Sequence, residues 1–179
     1  MSKNIVLLVG ASGSGKSTIA SELTNRYGLK QVKSYTTRAP RDESDYHIFV
    51  TEEEFAKLKN IVAYTHYAGN EYCATADQID ENDVYIIDPK GVSEFRKLYK
   101  GNKNIVVVGI EVDDDELKRR LKQRGESDSG IRLRRFFDLL AFRNMNNICD
   151  YMLTSPTVNE AVEFIYNTFF NEFSEQEAV

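Results

Sequence analysis

The residues from Gly10 to Ser17 have the types and the spacing needed to hold phosphate groups. Their sequence, GASGSGKS, matches the pattern G-x-x-x-x-G-K-[ST] at every defined position. Glycines let the backbone curl so that successive N–H groups point at phosphate oxygens, and the helix that follows adds the positive end of its dipole. Lys16 would place a charge on the β- and γ-phosphates, and the Ser17 hydroxyl would take one coordination site of Mg²⁺. The motif predicts a nucleoside triphosphate site.

A second group of residues has the chemistry of an anion clamp. Arg38 and Arg41 are three residues apart, Pro40 stiffens the loop between them, and the hydroxyl-rich segment 34–37 precedes them. The planar guanidinium fork holds phosphate oxygens with two hydrogen bonds. Alone, an R-x-P-R segment is more typical of a solvated loop. Beside a phosphate-binding loop, we interpret it as a site for a second phosphate.

The composition describes one compact domain. The chain has 179 residues, of which 41% are hydrophobic and 28% charged, and this excludes wholesale disorder. The net charge of −5 argues against a chain-wide grip on nucleic acid. The longest apolar runs, 5–9 and 105–110, are far shorter than a bilayer requires. Two cysteines suit a reducing compartment, so we expect a cytoplasmic protein without a membrane partner.

The order of the elements predicts an α/β fold. The continuous apolar runs Ile5–Val9, Val84–Ile87 and Ile105–Ile110 are typical of strands buried on both faces of a parallel sheet. Helical patterns alternate with these strands, which favours helices on both faces of the sheet. We also predict strands over Leu29–Ser34, Tyr46–Val50, Ile61–Tyr67 and Tyr151–Leu153, and helices over Ser17–Tyr27, Glu52–Asn60, Val92–Tyr99 and Asp113–Gln123, with a basic helix ending at Asn147 and a last helix near Val158–Phe173.

Together these motifs closely resemble those of the guanylate kinase family. The resemblance consists of Gly10–Ser17, then S-Y-T-T-R-A-P-R over Ser34–Arg41, Tyr46-x-x-Phe49 and Gly69-Asn70-x-Tyr72, in the same order. It implies a three-layer phosphate-loop kinase fold in one domain. Its core would be 1–33, 76–119 and 136–179, its insert for the nucleoside monophosphate 34–75, and its lid 120–135. It also implies transfer of phosphate from ATP to GMP, giving ADP and GDP, with Mg²⁺.

The resemblance also implies roles for individual residues. The donor loop would be Ser12, Gly13, Ser14, Gly15, Lys16 and Ser17, and the residues around the acceptor would be Ser34, Arg38, Arg41, Tyr46, Tyr72, Thr75 and Asp88. Lys16, Arg38 and the lid arginines Arg120, Arg124 and Arg134 would act on the transferring group.

The sequence departs from the family where guanine is recognised. Ala63 stands where the family has a glutamate, and Ala74 where it has a serine or threonine. Either the base is recognised by other residues, with Thr65, Thr75, Asp77 and Asp88 as candidates, or the acceptor is not GMP. One alternative is a kinase of similar build that acts on another phosphorylated small molecule, such as a ribose bisphosphate. The other is a non-catalytic interaction module, against which the intact Lys16 and Ser17 argue.

Overall fold

The computed structural model describes residues 3–40, 45–67 and 69–171. The strands are β1 (Asn4–Val9), β2 (Tyr35–Thr36), β3 (Ile48–Phe49), β4 (Ile61–Tyr67), β5 (Asn70–Thr75), β6 (Val84–Ile86), β7 (Asn104–Glu111) and β8 (Tyr151–Thr154). The helices are α1 (Lys16–Tyr27), α2 (Glu52–Phe55), α3 (Ala76–Glu81), α4 (Pro89–Leu98), α5 (Asp114–Gln123), α6 (Asp128–Phe142) and α7 (Val158–Phe169). Among these residues, no helix is long and apolar enough to cross a membrane.

A parallel sheet forms the core, as predicted. Its strand order is β6-β1-β7-β8, and each neighbouring pair is parallel. Alternate residues of β1 enter two different hydrophobic clusters: Ile5 and Leu7 contribute to one, Val6 and Leu8 to the other. β1 is therefore buried on both faces and needs an apolar residue at each of these positions, which explains the continuous apolar run in the sequence.

Helices cover both faces of this sheet. On one face, α1 and α7 pack together and contribute Ile19, Leu23 and Ile165 to the core. On the other face, α3 and α4 contribute Ile79 and Phe95. The predicted three-layer α/β architecture is confirmed, and it exposes the carboxyl ends of the parallel strands, where ligands bind in such sheets.

A second sheet is formed by four strands that all lie between residues 35 and 75. Its order is β3-β2-β5-β4, with β2 and β3 parallel and the other pairs antiparallel. The β4–β5 turn includes Gly69, whose φ of 78° suits glycine. β4 packs against α4, so this sheet is attached to the core. Its role as the acceptor-binding insert stays a prediction, as do the boundaries of the core and the lid.

Several predicted elements were wrong or too long. Residues 29–34 form no strand and contribute one bridge, between Gln31 and Val84. The helix predicted to reach Asn60 ends at Phe55, since the N–H groups of Lys57 and Leu58 bond three residues back and Asn60 has a φ of 56°. Other boundaries differ from the predicted ones. β3 is limited to Ile48–Phe49, and α4 begins earlier, at Pro89. α6 ends at Phe142 and is followed by a 3₁₀ turn at Met145–Asn147, and α7 ends at Phe169.

Candidate active site

The phosphate-binding loop connects β1 to α1 and rests against β7. Gly13 and Gly15 have φ values of 85° and 100°, a conformation in which glycine has no steric penalty. A Cβ added to Gly10 would stand 2.5 Å from the carbonyl oxygen of Ile110 and 2.8 Å from Ser14 Oγ. The glycines therefore allow both the turn itself and its close approach to the neighbouring strand.

Lys16 lies at the start of α1 with its ammonium over this loop. Its Nζ donates to the carbonyl oxygens of Gly10 and Ala11, at 2.6 and 2.9 Å, and to Ser14 Oγ at 3.2 Å. Burial lowers the pKa of Lys16 to about 8, an effect that nearby Asp138 opposes and Arg124 reinforces. The ammonium is thus held by its own loop, where a phosphate would meet it.

A carboxylate from α6 already contacts the loop. Asp138 Oδ2 accepts from the backbone N–H of Ser12 at 2.9 Å, and its Oδ1 accepts from Ser12 Oγ at 3.4 Å. Arg135 bonds Asp138 at 3.5 Å and Asp114 at 2.7 Å. The loop N–H of Ser12 thus donates to a carboxylate oxygen, and it could donate to a phosphate oxygen in the same way. The loop residues therefore fit a triphosphate.

The three predicted lid arginines lie in different surroundings. Arg120 reaches the loop, with Nη1 at 3.3 Å from the carbonyl oxygen of Gly13, and Glu116 holds its Nε at 2.7 Å. Arg124 lies near enough to Lys16 to lower its pKa. Arg134 instead pairs with Glu126 at 3.1 Å. The structure therefore brings the first two toward the loop and directs the third to a carboxylate elsewhere.

Arg135 and Asp138 were missed as site residues by the sequence reasoning, although they lie beside the loop. The sequence showed Arg135 only as part of a basic run, and nothing singled out Asp138. Their separation of three residues on one helix face was the available signal. The partner across the loop, Ser12, is 126 positions away and could not be inferred.

Arg38 stands at the centre of a cluster on the second sheet. Its Nη2 pairs with Asp45 Oδ2 at 2.7 Å, its Nε donates to the hydroxyl of Tyr72 at 3.2 Å, and its guanidinium lies over the ring of Phe49. Only 12% of the Arg38 side chain is exposed. Two predicted acceptor residues, Arg38 and Tyr72, are therefore in direct contact. Arg41 lies outside the described residues.

Two other predicted acceptor residues are positioned by contacts with the core. The Tyr46 hydroxyl donates to the carbonyl oxygen of Gln31 at 3.3 Å, and Lys33 Nζ lies over its ring. Ser34 Oγ donates to the Tyr85 hydroxyl at 3.3 Å, and burial raises the pKa of Tyr85 far above its usual range. Tyr46 is directed away from the Arg38 cluster.

Asp88 and Thr75 both cap helices. Asp88 Oδ1 accepts from the N–H of Gly91 at 2.9 Å and begins α4. Thr75 Oγ1 accepts from the N–H of Gln78, whose side chain bonds back to Thr75, and this capping box begins α3. Their roles toward an acceptor stay predictions.

Ala63 and Ala74 face each other across β4 and β5 in the apolar interior. They are 2% and 0% exposed and belong to the cluster that contains Ile87 and Phe95. At the two positions where the resemblance leads us to expect base-recognising side chains, this chain has buried methyl groups.

His47, adjacent to Tyr46 in the sequence, lies in the Arg38 cluster. Its Nδ1 is 2.8 Å from Asp45 Oδ1, and its ring meets the Tyr72 ring edge-on at 5.9 Å between centroids. Asp45 thus bonds Arg38 through one oxygen and His47 through the other. The motif Tyr46-x-x-Phe49 identifies Tyr46 and gives no signal for the adjacent His47.

A cleft of about 560 Å³ joins the first turns of α1 to this cluster. Its lining includes Ser17, Ser34, Asp45, Tyr46 and His47. A larger cavity of about 710 Å³ lies between α5 and α6, and the loop residues 10–17 do not line it. The 560 Å³ cleft brings Ser17, at the end of the phosphate-binding motif, to the same surface as the segment before β3.

Comparisons with known proteins agree with this geometry. A family model described as an AAA domain matches residues 6–147. The guanylate kinase of Bordetella pertussis is 34% identical over 148 residues, which cover 75% of this chain and 67% of that protein. The guanylate kinase of Photobacterium profundum is 30% identical over 178 residues, with 90% and 85% covered.

A solved structure extends the similarity to the fold. The crystal structure of guanylate kinase from Anaplasma phagocytophilum superimposes with a TM-score of 0.67 at 24% identity, covering 98% of this chain and 87% of that one. The chain therefore belongs to the guanylate kinase family and is a phosphotransferase of the nucleoside monophosphate kinase class.

Proposed function

We propose that this protein transfers the γ-phosphoryl group of ATP to GMP. The observation that carries the proposal is the cleft between Ser17, at the end of a complete phosphate-binding motif, and Asp45, which pairs with Arg38. Phosphoryl transfer asks little covalent chemistry of a protein, because its main tasks are to align two anionic reactants and to neutralise the charge that develops.

The donor would be held by the loop and by Lys16. The ammonium would leave the carbonyl oxygens of Gly10 and Ala11 for the β- and γ-phosphates, to which it is more strongly attracted. Mg²⁺, when bound, would neutralise negative charge on the phosphates. The exposed hydroxyl of Ser17, in the first turn of α1, would be its ligand from this chain.

The acceptor phosphate would lie against Arg38 and Tyr72. Arg38 is held by Asp45 and Tyr72, so little side-chain entropy is lost when it binds an anion. Ser34, bonded to Tyr85, would add a hydroxyl at the same end of the cleft.

Charge on the transferring group would be stabilised by Lys16, Arg120 and Arg124. Arg120 is oriented toward the loop by Glu116, and preorganised donors of this kind are effective because they need not move during reaction. Closure of the segment that carries these arginines would exclude water, which otherwise accepts the phosphoryl group.

Recognition of guanine is expected to be weak. Ala63 and Ala74 offer no polar group, and a site without such groups discriminates by shape, typically about 10–200-fold. The test is kcat/KM for GMP, dGMP, AMP, CMP and UMP, measured by coupled detection of ADP. We expect GMP to exceed AMP by about 10–200-fold.

Two outcomes of this panel would change the proposal. A preference for GMP of about 10⁴-fold or more would mean that another residue recognises the base. If no nucleotide is phosphorylated but ribose bisphosphates are, the alternative of a sugar-phosphate acceptor replaces GMP. The buried Ala63 and Ala74 are the observation that favours this alternative.

A further inference from the structure

Counted over the residues that the structure describes, the Arg38 cluster carries no net charge unless His47 is protonated. Arg38 contributes one positive charge and Asp45 one negative charge, and the two are 2.7 Å apart. Asp45 is 8% exposed, so water screens the pair only weakly. A phosphate dianion arriving at Arg38 would therefore meet a cation whose charge is already largely compensated.

His47 is placed to change this balance. Its Nδ1 is fixed on Asp45 at 2.8 Å, which leaves Nε2 on the other side of the ring, and 30% of the side chain is exposed. His47 lines the cleft together with Ser34, whereas the Tyr46 hydroxyl is bonded to Gln31. With Nδ1–H donating to Asp45, Nε2 of a neutral ring is an acceptor, and it becomes a donor only when the ring is protonated.

The charged and titratable groups that face His47 in the described part of the chain come from three places. They are Asp45 from its own segment, Arg38 from the loop after β2 and Tyr72 from β5. Asp45 contributes a negative charge, Arg38 a positive charge and Tyr72 an aromatic edge. An incoming phosphate would add negative charge and shift the balance toward the imidazolium.

We propose that His47 binds the acceptor phosphate as an imidazolium, through Nε2–H, so that acceptor binding is coupled to uptake of a proton from solvent. The proposal rests on the proposed function for the identity of the acceptor, but its chemistry requires only a phosphate monoester. Imidazole is the side chain whose charge changes between pH 5 and 8, so the coupling falls in a physiological range.

The direct test is an NMR titration of the two histidines of the wild-type protein, with and without saturating GMP. The chain has only His47 and His66, so the His66→Gln variant assigns both signals. We expect GMP to raise the titration midpoint of His47 by about one pH unit, which by reciprocity is about tenfold coupling between proton and ligand. A midpoint that stays unchanged while GMP binds overturns the proposal.

Kinetics provide a second, independent readout. In wild type, kcat/KM for GMP should fall between pH 6.5 and 8.5 several-fold more than in His47→Gln, with about tenfold as the upper limit that a one-unit shift allows, and the change should be mainly in KM. Ionisation of the GMP phosphate, near pH 6, affects both proteins and cancels in the ratio. His66→Gln is the matched control and should retain the wild-type profile, and KM for ATP should have the same pH dependence in all three proteins. Equal profiles in wild type and His47→Gln would contradict the proposal.

Failure of the proposed function would be recognised separately. If GMP neither binds nor reacts, the same NMR titration is made with ribose 5-phosphate. A raised His47 midpoint with that probe supports the phosphate contact while GMP is discarded as acceptor. Binding of neither probe overturns both.

Discussion

Arg38 is the residue on which the acceptor side of the site depends. It contacts Asp45, Tyr72 and the carbonyl oxygen of Ala39 through three different nitrogens. We expect Arg38→Lys to raise KM for the acceptor by at least about tenfold and to leave KM for ATP nearly unchanged. Lysine has no planar fork, and a hydrogen bond to a charged group is worth about 1.5–3 kcal/mol.

The measurement for Arg38 is steady-state kinetics with each substrate varied in turn. Arg96→Lys is the matched control, because Arg96 is exposed, pairs with Asp150 and lies on α4. An equal rise in both KM values would show that Arg38 does not belong to the acceptor site.

At the scale of elements, α6 connects to the phosphate-binding loop through one carboxylate. Asp138 accepts from the N–H and hydroxyl of Ser12, and a triphosphate bound to the loop would compete for those donors. We expect Asp138→Asn to lower Kd for ATP several-fold, because the variant removes a negative charge from the neighbourhood of the phosphates. Calorimetric titration with ATP is the measurement.

The control for Asp138 is on the same helix. Asp128→Asn removes an exposed carboxylate that pairs with Lys122 at 3.5 Å, and it should leave ATP binding unchanged. Weaker ATP binding by Asp138→Asn would instead mean that this carboxylate supports the loop in its nucleotide-bound form.

The first turn of α5 is stabilised by Glu116, which bonds Arg119 and Arg120. These hydrogen bonds lower the pKa of Glu116 to about 2, below its ordinary 4.5. A depressed folded-state pKa gives stability that is present above pH 4.5 and is lost as the pH falls through about 2. We therefore expect wild type to melt higher than Glu116→Gln near neutral pH, with the difference narrowing below pH 4.5.

Thermal melts from pH 7 to pH 2.5 test this expectation, and 0.5 M salt should reduce the difference because the pair is partly exposed. A carboxyl-carbon NMR titration of Glu116 with a midpoint near 4.5 would contradict it.

An element could be predicted from the sequence when the interactions that form it are local, and not when they join residues distant in the chain. Ile5–Val9 predicted β1 to within one residue, because a strand buried on both faces must be apolar throughout. The T-x-x-Q pattern at Thr75 could have revealed α3, since a capping box is a local signal. The limitation of residues 29–34 to a single bridge could not be predicted, because it depends on how far this segment runs beside β6, which is distant in sequence.

The same limit applies to the site. The motifs located Lys16, Arg38 and Tyr72, and the contact between Arg38 and Tyr72 follows from the pairing of β2 with β5. Tyr46 and His47 are adjacent in sequence, and only the structure shows that His47 faces Tyr72. Asp138 meets Ser12 through the packing of α6, which no local pattern encodes.

At the scale of the whole molecule, the core and the segments that lead into the second sheet line one cleft. α1 contributes Ser17, and the segments before β2 and β3 contribute Ser34 and Asp45, which pairs with Arg38. This division matches the reaction, because the donor and the acceptor each bring phosphate charge and must be held separately before they are aligned. We therefore expect phosphoryl transfer to require both reactants at once and to depend on Lys16.

The most direct measurement follows the label of [γ-³²P]ATP in the presence and absence of GMP. We expect the label to appear in GDP and little inorganic phosphate to be released without acceptor. Lys16→Met should lose at least about tenfold in the rate of transfer, which corresponds to only ~1.4 kcal/mol of transition-state stabilisation, and its melting temperature should be unchanged. Label released as inorganic phosphate at the same rate with or without GMP, or a Lys16→Met variant that retains more than about a tenth of wild-type transfer, would contradict this expectation.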